Sequence, residues 1–196
     1  MNTKQASEVI QNGGIVAFPT ETVYGLGADA WNPTAILKVF EAKGRPSDNP
    51  LIVHVNSEND IHDFAMDIPD KAHLLIEEFW PGPLTLVLKK RPEVLDAVTA
   101  GLETVALRMP DHKIARELIQ LTGPLVAPSA NHSGKPSPTR AEHVIEDFGD
   151  ELLVIDGKAT KIGLESTVVD LTDTVPSILR PGAVSRKQIE EVLGGF

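Results

Sequence analysis

The chain predicts an α/β fold with a mixed, twisted, open sheet and flanking helices. Three observations carry that expectation. Short apolar runs of strand length recur from Ile15 to Leu179. Segments with apolar residues at helical spacing lie between many of them. The two kinds of segment interleave without a strict βα alternation, which argues against a Rossmann unit and for a mixed sheet. No repeat, low-complexity tract or linker interrupts the pattern, so residues 1–196 read as a single domain.

Ala6, Val9 and Ile10 have helical spacing ahead of Gly13-Gly14, and Ile15–Phe18 then reads as a buried strand. Asn32-Pro33 is a helix start; Ala35, Ile36, Val39 and Phe40 form its apolar face and Gly44 ends it. Leu51–Val55 is the next strand. A helix over Pro69–Trp80 is stopped by Pro81-Gly82-Pro83, and Leu84–Leu88 and Thr104–Arg108 read as strands. Asp111–Leu121 is a helix with Ile114, Ala115 and Leu118 inward, and Leu125–Ala127 is a short strand ending at Pro128. Thr139 with Glu142 has capping-box spacing before another helix. Leu152–Ile155, Thr167–Leu171 and Ser177–Leu179 are strands, and Ser185 with Gln188 opens a last helix.

Composition narrows function. The 196 residues are 41% hydrophobic and 23% charged, an ordinary globular balance. A net charge of −10 argues against a large non-specific grip on nucleic acid, and aromatics at 5% leave few rings for stacking on single strands. The absence of cysteine excludes disulfides, thiolate zinc sites and a cysteine nucleophile. Met1–Asn12 has no apolar signal core, and no apolar run approaches the roughly 18 residues a membrane span needs. The expectation is a cytoplasmic protein with no membrane partner.

Five polar clusters follow or flank apolar strands, where ligands bind in open α/β sheets. They are Phe18–Gly27, Lys43–Pro50, Pro128–Thr139, Gly163–Asp170 and Leu179–Ala183. Taken singly, the first also reads as a glycine-containing turn, the second as a cation-capped helix end, and the third as a Ser/Asn/Pro loop. Lys43 and Arg45, in a proline-stiffened segment, match the needs of a polyphosphate. Arg108 and Arg180 close strands: Arg180 reads alone as the partner of a surface carboxylate, and Arg108 as either a structural ion pair or a carboxylate clamp. His54 inside an apolar strand reads alone as a core histidine. His62, His73, His112 and His143 have no partner at metal spacing.

In this order the clusters resemble the YrdC-like family of threonylcarbamoyl-adenylate synthases. The matching pieces are FPTETVYGLG (Phe18–Gly27), KGRP with NPL (Lys43–Leu51), PGPLT (Pro81–Thr85), the set Lys43, Arg45, Ser129 and Asn131, ESTVVD (Glu165–Asp170) and LRPGA (Leu179–Ala183). The resemblance implies a twisted open sheet curled around a large concave site. It also implies formation of threonylcarbamoyl-AMP and pyrophosphate from L-threonine, bicarbonate or carbon dioxide, and ATP. Other proteins then transfer the threonylcarbamoyl group to tRNA beside the anticodon, so direct tRNA contact is expected to be weak or indirect.

The same resemblance assigns Lys43, Arg45, Ser129 and Asn131 as the catalytic signature. ATP falls to Arg45, Asn49, Thr104, Ser129, Ser137 and Arg180, and threonine to Thr22, His54, Arg108, Ala127 and Ser166. Mg²⁺ is expected with ATP, held by phosphate oxygens and water rather than by a carboxylate cage. Many family members carry a further C-terminal domain, so this chain looks like the short form or a catalytic part of the long one. Two rivals are an RNA-binding module and a carbamoyl-adenylate-forming relative.

Overall fold

The computed structural model describes residues 1–44 and 49–195. In chain order the strands are β1 (Val16–Pro19), β2 (Tyr24–Asp29), β3 (Ile52–His54), β4 (Leu84–Lys89), β5 (Thr104–Arg108), β6 (Leu125–Val126), β7 (Leu153–Val154), β8 (Thr167–Asp170) and β9 (Ser177–Arg180). The helices are α1 (Thr3–Gln11), α2 (Pro33–Lys43), α3 (Glu58–Phe64), α4 (Asp70–Phe79), α5 (Asp96–Thr99), α6 (Lys113–Thr122), α7 (Ala141–Phe148) and α8 (Arg186–Leu193). None of them is long and apolar enough to cross a membrane.

The strands form one mixed sheet in the order β7-β1-β2-β6-β3-β5-β4-β8-β9. The pairs β1–β7, β3–β5 and β4–β8 are parallel and the other neighbours antiparallel. The expected mixed sheet is therefore found. Side chains alternate between two cores, as the period of two requires. Val16 and Phe18 of β1 join Ala6 and Ile10 of α1 and Leu118 of α6 on one face, while Ala17 turns to the larger core on the other.

The strand β2 was expected to be a turn. Its glycines alternate with Tyr24, Leu26 and Ala28, which face the larger core. Gly27 leaves room for a neighbour: a Cβ there would lie 2.6 Å from the Phe18 ring. The apolar alternation is thus masked by a packing demand. The Thr139–Glu142 capping box is also corrected. The helix starts one residue later, with Arg140 at the N-cap and no side-chain cap. Thr139 is occupied elsewhere, its carbonyl accepting from Thr160 N–H and its own N–H donating to His143 Nδ1. Ser185 and Gln188 do form a capping box on α8, and His112 caps α6 by accepting from Ile114 N–H.

Candidate active site

The site exists because the sheet curls. β2 and β9 stand six places apart, which in a flat sheet is roughly 30 Å. Yet Thr20 and Thr22 from the β1–β2 turn, Ile52 and His54 of β3, Arg108 of β5, Ala127 after β6, Glu165 and Ser166 before β8, and Arg180 of β9 line one cleft. Its empty volume, with the open solvent at its mouth included, is about 550 Å³.

Arg108 is the centre of the polar wall and is almost fully buried. Its Nη1 donates to Glu21 Oε1 at 2.8 Å and to the Gly82 carbonyl at 3.2 Å, and Nη2 donates to Thr22 Oγ1 at 3.2 Å. These bonds use three of the five guanidinium N–H groups; among the described residues Nε–H and one Nη2 hydrogen have no partner, and a guanidinium so placed suits a carboxylate. The ion-pair reading of Arg108 is therefore found, on a side chain that also lines the cleft. Glu21 is the residue the sequence reading passed over. Its other oxygen accepts from Asp111 N–H at 2.8 Å, at the approach to α6. The available signal was a carboxylate between two threonines just past a fully buried strand.

The threonine hydroxyls form a small network. Thr20 Oγ1 donates to the Val23 carbonyl at 2.8 Å, accepts from Thr22 and Val23 N–H at 3.2 and 3.3 Å, and meets Thr22 Oγ1 at 2.9 Å. Thr22 Oγ1 itself accepts from Arg108 Nη2 at 3.2 Å. His54 adds an acceptor. Its Nδ1 lies 3.1 Å from the Ile52 carbonyl, which can only accept, so Nδ1 carries the proton and Nε2 is an acceptor on a pocket-lining ring. Burial, reinforced by the Arg108 charge and opposed by the Ile52 carbonyl, drives the His54 pKa down to about 3.

That shift has a stability consequence. The unfolded chain takes up this proton near pH 6.5 and the folded chain only near 3. The stability gained from a neutral His54 is complete above about pH 6.5 and is lost as pH falls from there toward 3. The thermal midpoint should fall between pH 7 and 5, and His54→Gln should flatten that slope. An equal slope in both proteins would exclude His54 as its source.

On the opposite wall, Arg180 grips Ser166. Nε and Nη2 donate to the Ser166 carbonyl at 3.0 and 2.8 Å, and Nη2 also reaches Ser166 Oγ at 3.0 Å. Nη1 lies 3.7 Å from Glu165 Oε1. Thr85 Oγ1 meets Ser166 Oγ at 2.7 Å beneath.

The remaining sequence-derived residues are distributed around this cleft. The buried Lys43 ammonium donates to the Ser129 carbonyl, to the Asn131 carbonyl at 2.9 Å and to Asn131 Oδ1 at 3.4 Å. It anchors the loop after β6. Asn131 Nδ2 in turn donates to the His132 and Lys135 carbonyls at 3.1 and 2.6 Å. Asn131 and Ser137 line a second depression with Lys135, His143 and Asp147, of about 690 Å³. Burial would raise the Asp147 carboxyl, but His132, through its N–H and its ring at 2.8 Å, together with Lys135 at 3.2 Å, holds it down at about 2. Asn49 is exposed just ahead of β3, and Thr104 begins β5 at the far end from Arg108. Because β3 and β5 are parallel, both lie where these strands begin. Neither lines the main cleft. Arg45 lies outside the described residues. Among the described residues no group of three His, Asp or Glu could hold a metal ion.

The chain is thus an α/β domain whose curled mixed sheet brings two arginines to one cleft. The chain belongs to the Sua5/YciO/YrdC family, described as telomere recombination, which it matches over residues 8–182. It is 55% identical over 191 residues to the threonylcarbamoyl-AMP synthase of Pyrococcus abyssi, covering 96% of this chain and 56% of that protein. A Bacillus subtilis protein of the same name is 54% identical, covering 97% and 56%. The chain thus spans a little over half the length of these curated relatives. The solved structure of Pyrococcus abyssi Sua5 complexed with L-threonine superposes with a TM-score of 0.96 at 54% identity, covering 98% of this chain and 57% of that one. Escherichia coli YciO shares the fold at a TM-score of 0.85 and 23% identity, covering 95% and 92%.

Proposed function

We propose that this chain is an L-threonylcarbamoyladenylate synthase, a nucleotidyltransferase that joins L-threonine, bicarbonate or carbon dioxide, and ATP, releasing pyrophosphate. The observation that carries this reading is convergence: Thr22, His54, Arg108, Ala127 and Ser166, scattered over 145 positions of sequence, line one cleft. The threonine-bound structure of the Pyrococcus abyssi relative supports it.

In this reading the free edge of Arg108 takes the amino-acid carboxylate. Thr22 Oγ1 and His54 Nε2 supply acceptors for the ammonium and hydroxyl. Once the ammonium has lost a proton to solvent, the amine nitrogen adds to the carbon of carbon dioxide and a second proton leaves to solvent; an oxygen of the resulting N-carboxylate attacks the α-phosphorus of ATP while pyrophosphate leaves. The nucleotide uses Arg45, Asn49, Thr104, Ser129, Ser137 and Arg180. Lys43 and Asn131 fix the loop that presents Ser129. Alignment and charge neutralisation account for most of the catalysis.

Of the two carboxylates nearest the cleft, Glu21 has both oxygens engaged and Glu165 faces Arg180. That donor set fits Mg²⁺ arriving on the ATP phosphates, where it would offset their charge. In the cytoplasm, downstream tRNA threonylcarbamoyl-transferase proteins would take up the product, with tRNA contact weak or indirect.

Pyrophosphate release by the purified chain should require L-threonine and bicarbonate together. Turnover with carbamoyl phosphate and without threonine would replace this reading by the carbamoyl-adenylate one.

A further inference from the structure

Among the described residues, the cations that line the main cleft are balanced one for one. Arg108 meets Glu21 at 2.8 Å, and Arg180 faces Glu165 at 3.7 Å. His54 is neutral at physiological pH. Glu21 is not part of the cleft wall. It stands behind Arg108, with 5% of its side chain exposed against 3% for the arginine. Its backbone carbonyl also accepts from Ile162 N–H, which ties down the segment leading to Glu165 and Ser166.

A charge inside such a site is costly unless it is paired. A ligand with one carboxylate and one ammonium brings no net charge to a wall whose described residues carry none. In the proposed reading its ammonium meets the acceptors Thr22 Oγ1 and the His54 Nε2 lone pair. A lone carboxylate would bring an uncompensated negative charge, because the guanidinium is already neutralised from behind.

We propose that Glu21 is a specificity-determining residue that, by neutralising Arg108 from behind, makes the pocket select a zwitterionic amino acid over a monocarboxylate of the same shape. The inference rests on the amino-acid reading of this cleft. It assigns Glu21 a role distinct from anchoring Asp111, because the effect depends on its charge and has a sign that depends on the ligand.

The test is calorimetric titration of the chain with L-threonine and with 3-hydroxybutyrate, which is threonine without its ammonium. The unsubstituted protein should prefer threonine by at least about a hundredfold. In Glu21→Gln the guanidinium is left with excess charge. Binding of 3-hydroxybutyrate should then tighten about tenfold or more while that of threonine weakens or holds. Glu21→Asp, which keeps the charge, should keep the parent preference.

Loss of affinity for both ligands by the same factor in Glu21→Gln would reduce Glu21 to a structural anchor and overturn the proposal. Should Glu21→Gln not fold, the parent protein decides alone, since equal affinity for the two ligands would overturn the proposal without any variant. Failure of the parent to bind threonine at all would bring down the amino-acid reading itself, and the inference with it.

Discussion

Arg108→Ala is expected to abolish threonine binding and to lower stability by about 3–5 kcal/mol, the cost of leaving one member of a buried ion pair without its partner. The orphan is the buried Glu21, which loses its bond from Arg108 and keeps the one from Asp111 N–H. Thr22 and the Gly82 carbonyl lose a donor as well. Because such a variant could fail simply by unfolding, Arg108→Lys is the sharper case. An ammonium can still face Glu21, so most of the stability should remain, but it offers no planar pair of N–H groups to a carboxylate. Loss of one charge-assisted bond is worth about 1.5–3 kcal/mol, which raises the threonine Kd roughly 10- to 150-fold. ATP affinity should stay within a factor of about three, since nucleotide contacts fall to other residues in this reading. Threonine and ATP titrations on the two proteins measure both quantities. Parent-like threonine affinity in Arg108→Lys would leave Arg108 a structural ion pair and move the clamp elsewhere.

How much of this could be read beforehand depends on where each signal lies. Regular elements with their own apolar pattern were legible: α2 with its Asn32 cap and Gly44 stop, α4 ahead of Pro81, and β4 and β5 as apolar strands. β2 was not, because its glycines answer to Phe18 and to the neighbouring strand rather than to any local preference. The short helices α3 and α5, of seven and four residues, carry too little periodicity to be seen, although Ser57 does cap the first of them.

At the site, residue types were legible and partnerships were not. The sequence marks Arg108, Arg180 and Lys43 as cations beside strand or helix ends. Only the fold shows that Lys43 spends its hydrogens on the loop after β6, and that Arg180 holds the Ser166 backbone. Glu21 stands 87 positions from Arg108, and no local pattern announces a pairing across that distance. The neutrality of His54 is likewise a product of burial, while its place in an apolar strand was plain.

Gly182→Ala is the second large effect to expect, and it acts through backbone rather than charge. A Cβ at this position would lie 2.5 Å from the Glu165 carbonyl oxygen and from Thr167 N, and 2.6 Å from the Ser166 carbonyl carbon. All three are main-chain atoms, so no side chain can swing aside. The two segments are also laced together on either side of the glycine. Arg180 grips the Ser166 carbonyl before it, and after it Thr167 Oγ1 donates to the Val184 carbonyl at 2.6 Å while accepting from Val184 N–H at 3.1 Å. Relief of the clash must therefore separate residues 165–167 from 180–184, which moves Ser166 and Arg180 together. Overpacking of this kind costs about 1–3 kcal/mol, and against backbone the upper end is expected. In the proposed reading Ser166 belongs to the threonine side and Arg180 to the nucleotide side, so KM should rise for both substrates, unlike the threonine-selective loss in Arg108→Lys. Steady-state kinetics with each substrate varied in turn, together with thermal melts, separate the two patterns. A Gly182→Ala protein that melts lower but keeps both KM values would show that the clash is absorbed away from the cleft, and that the 180–184 turn supports the sheet edge without shaping the site.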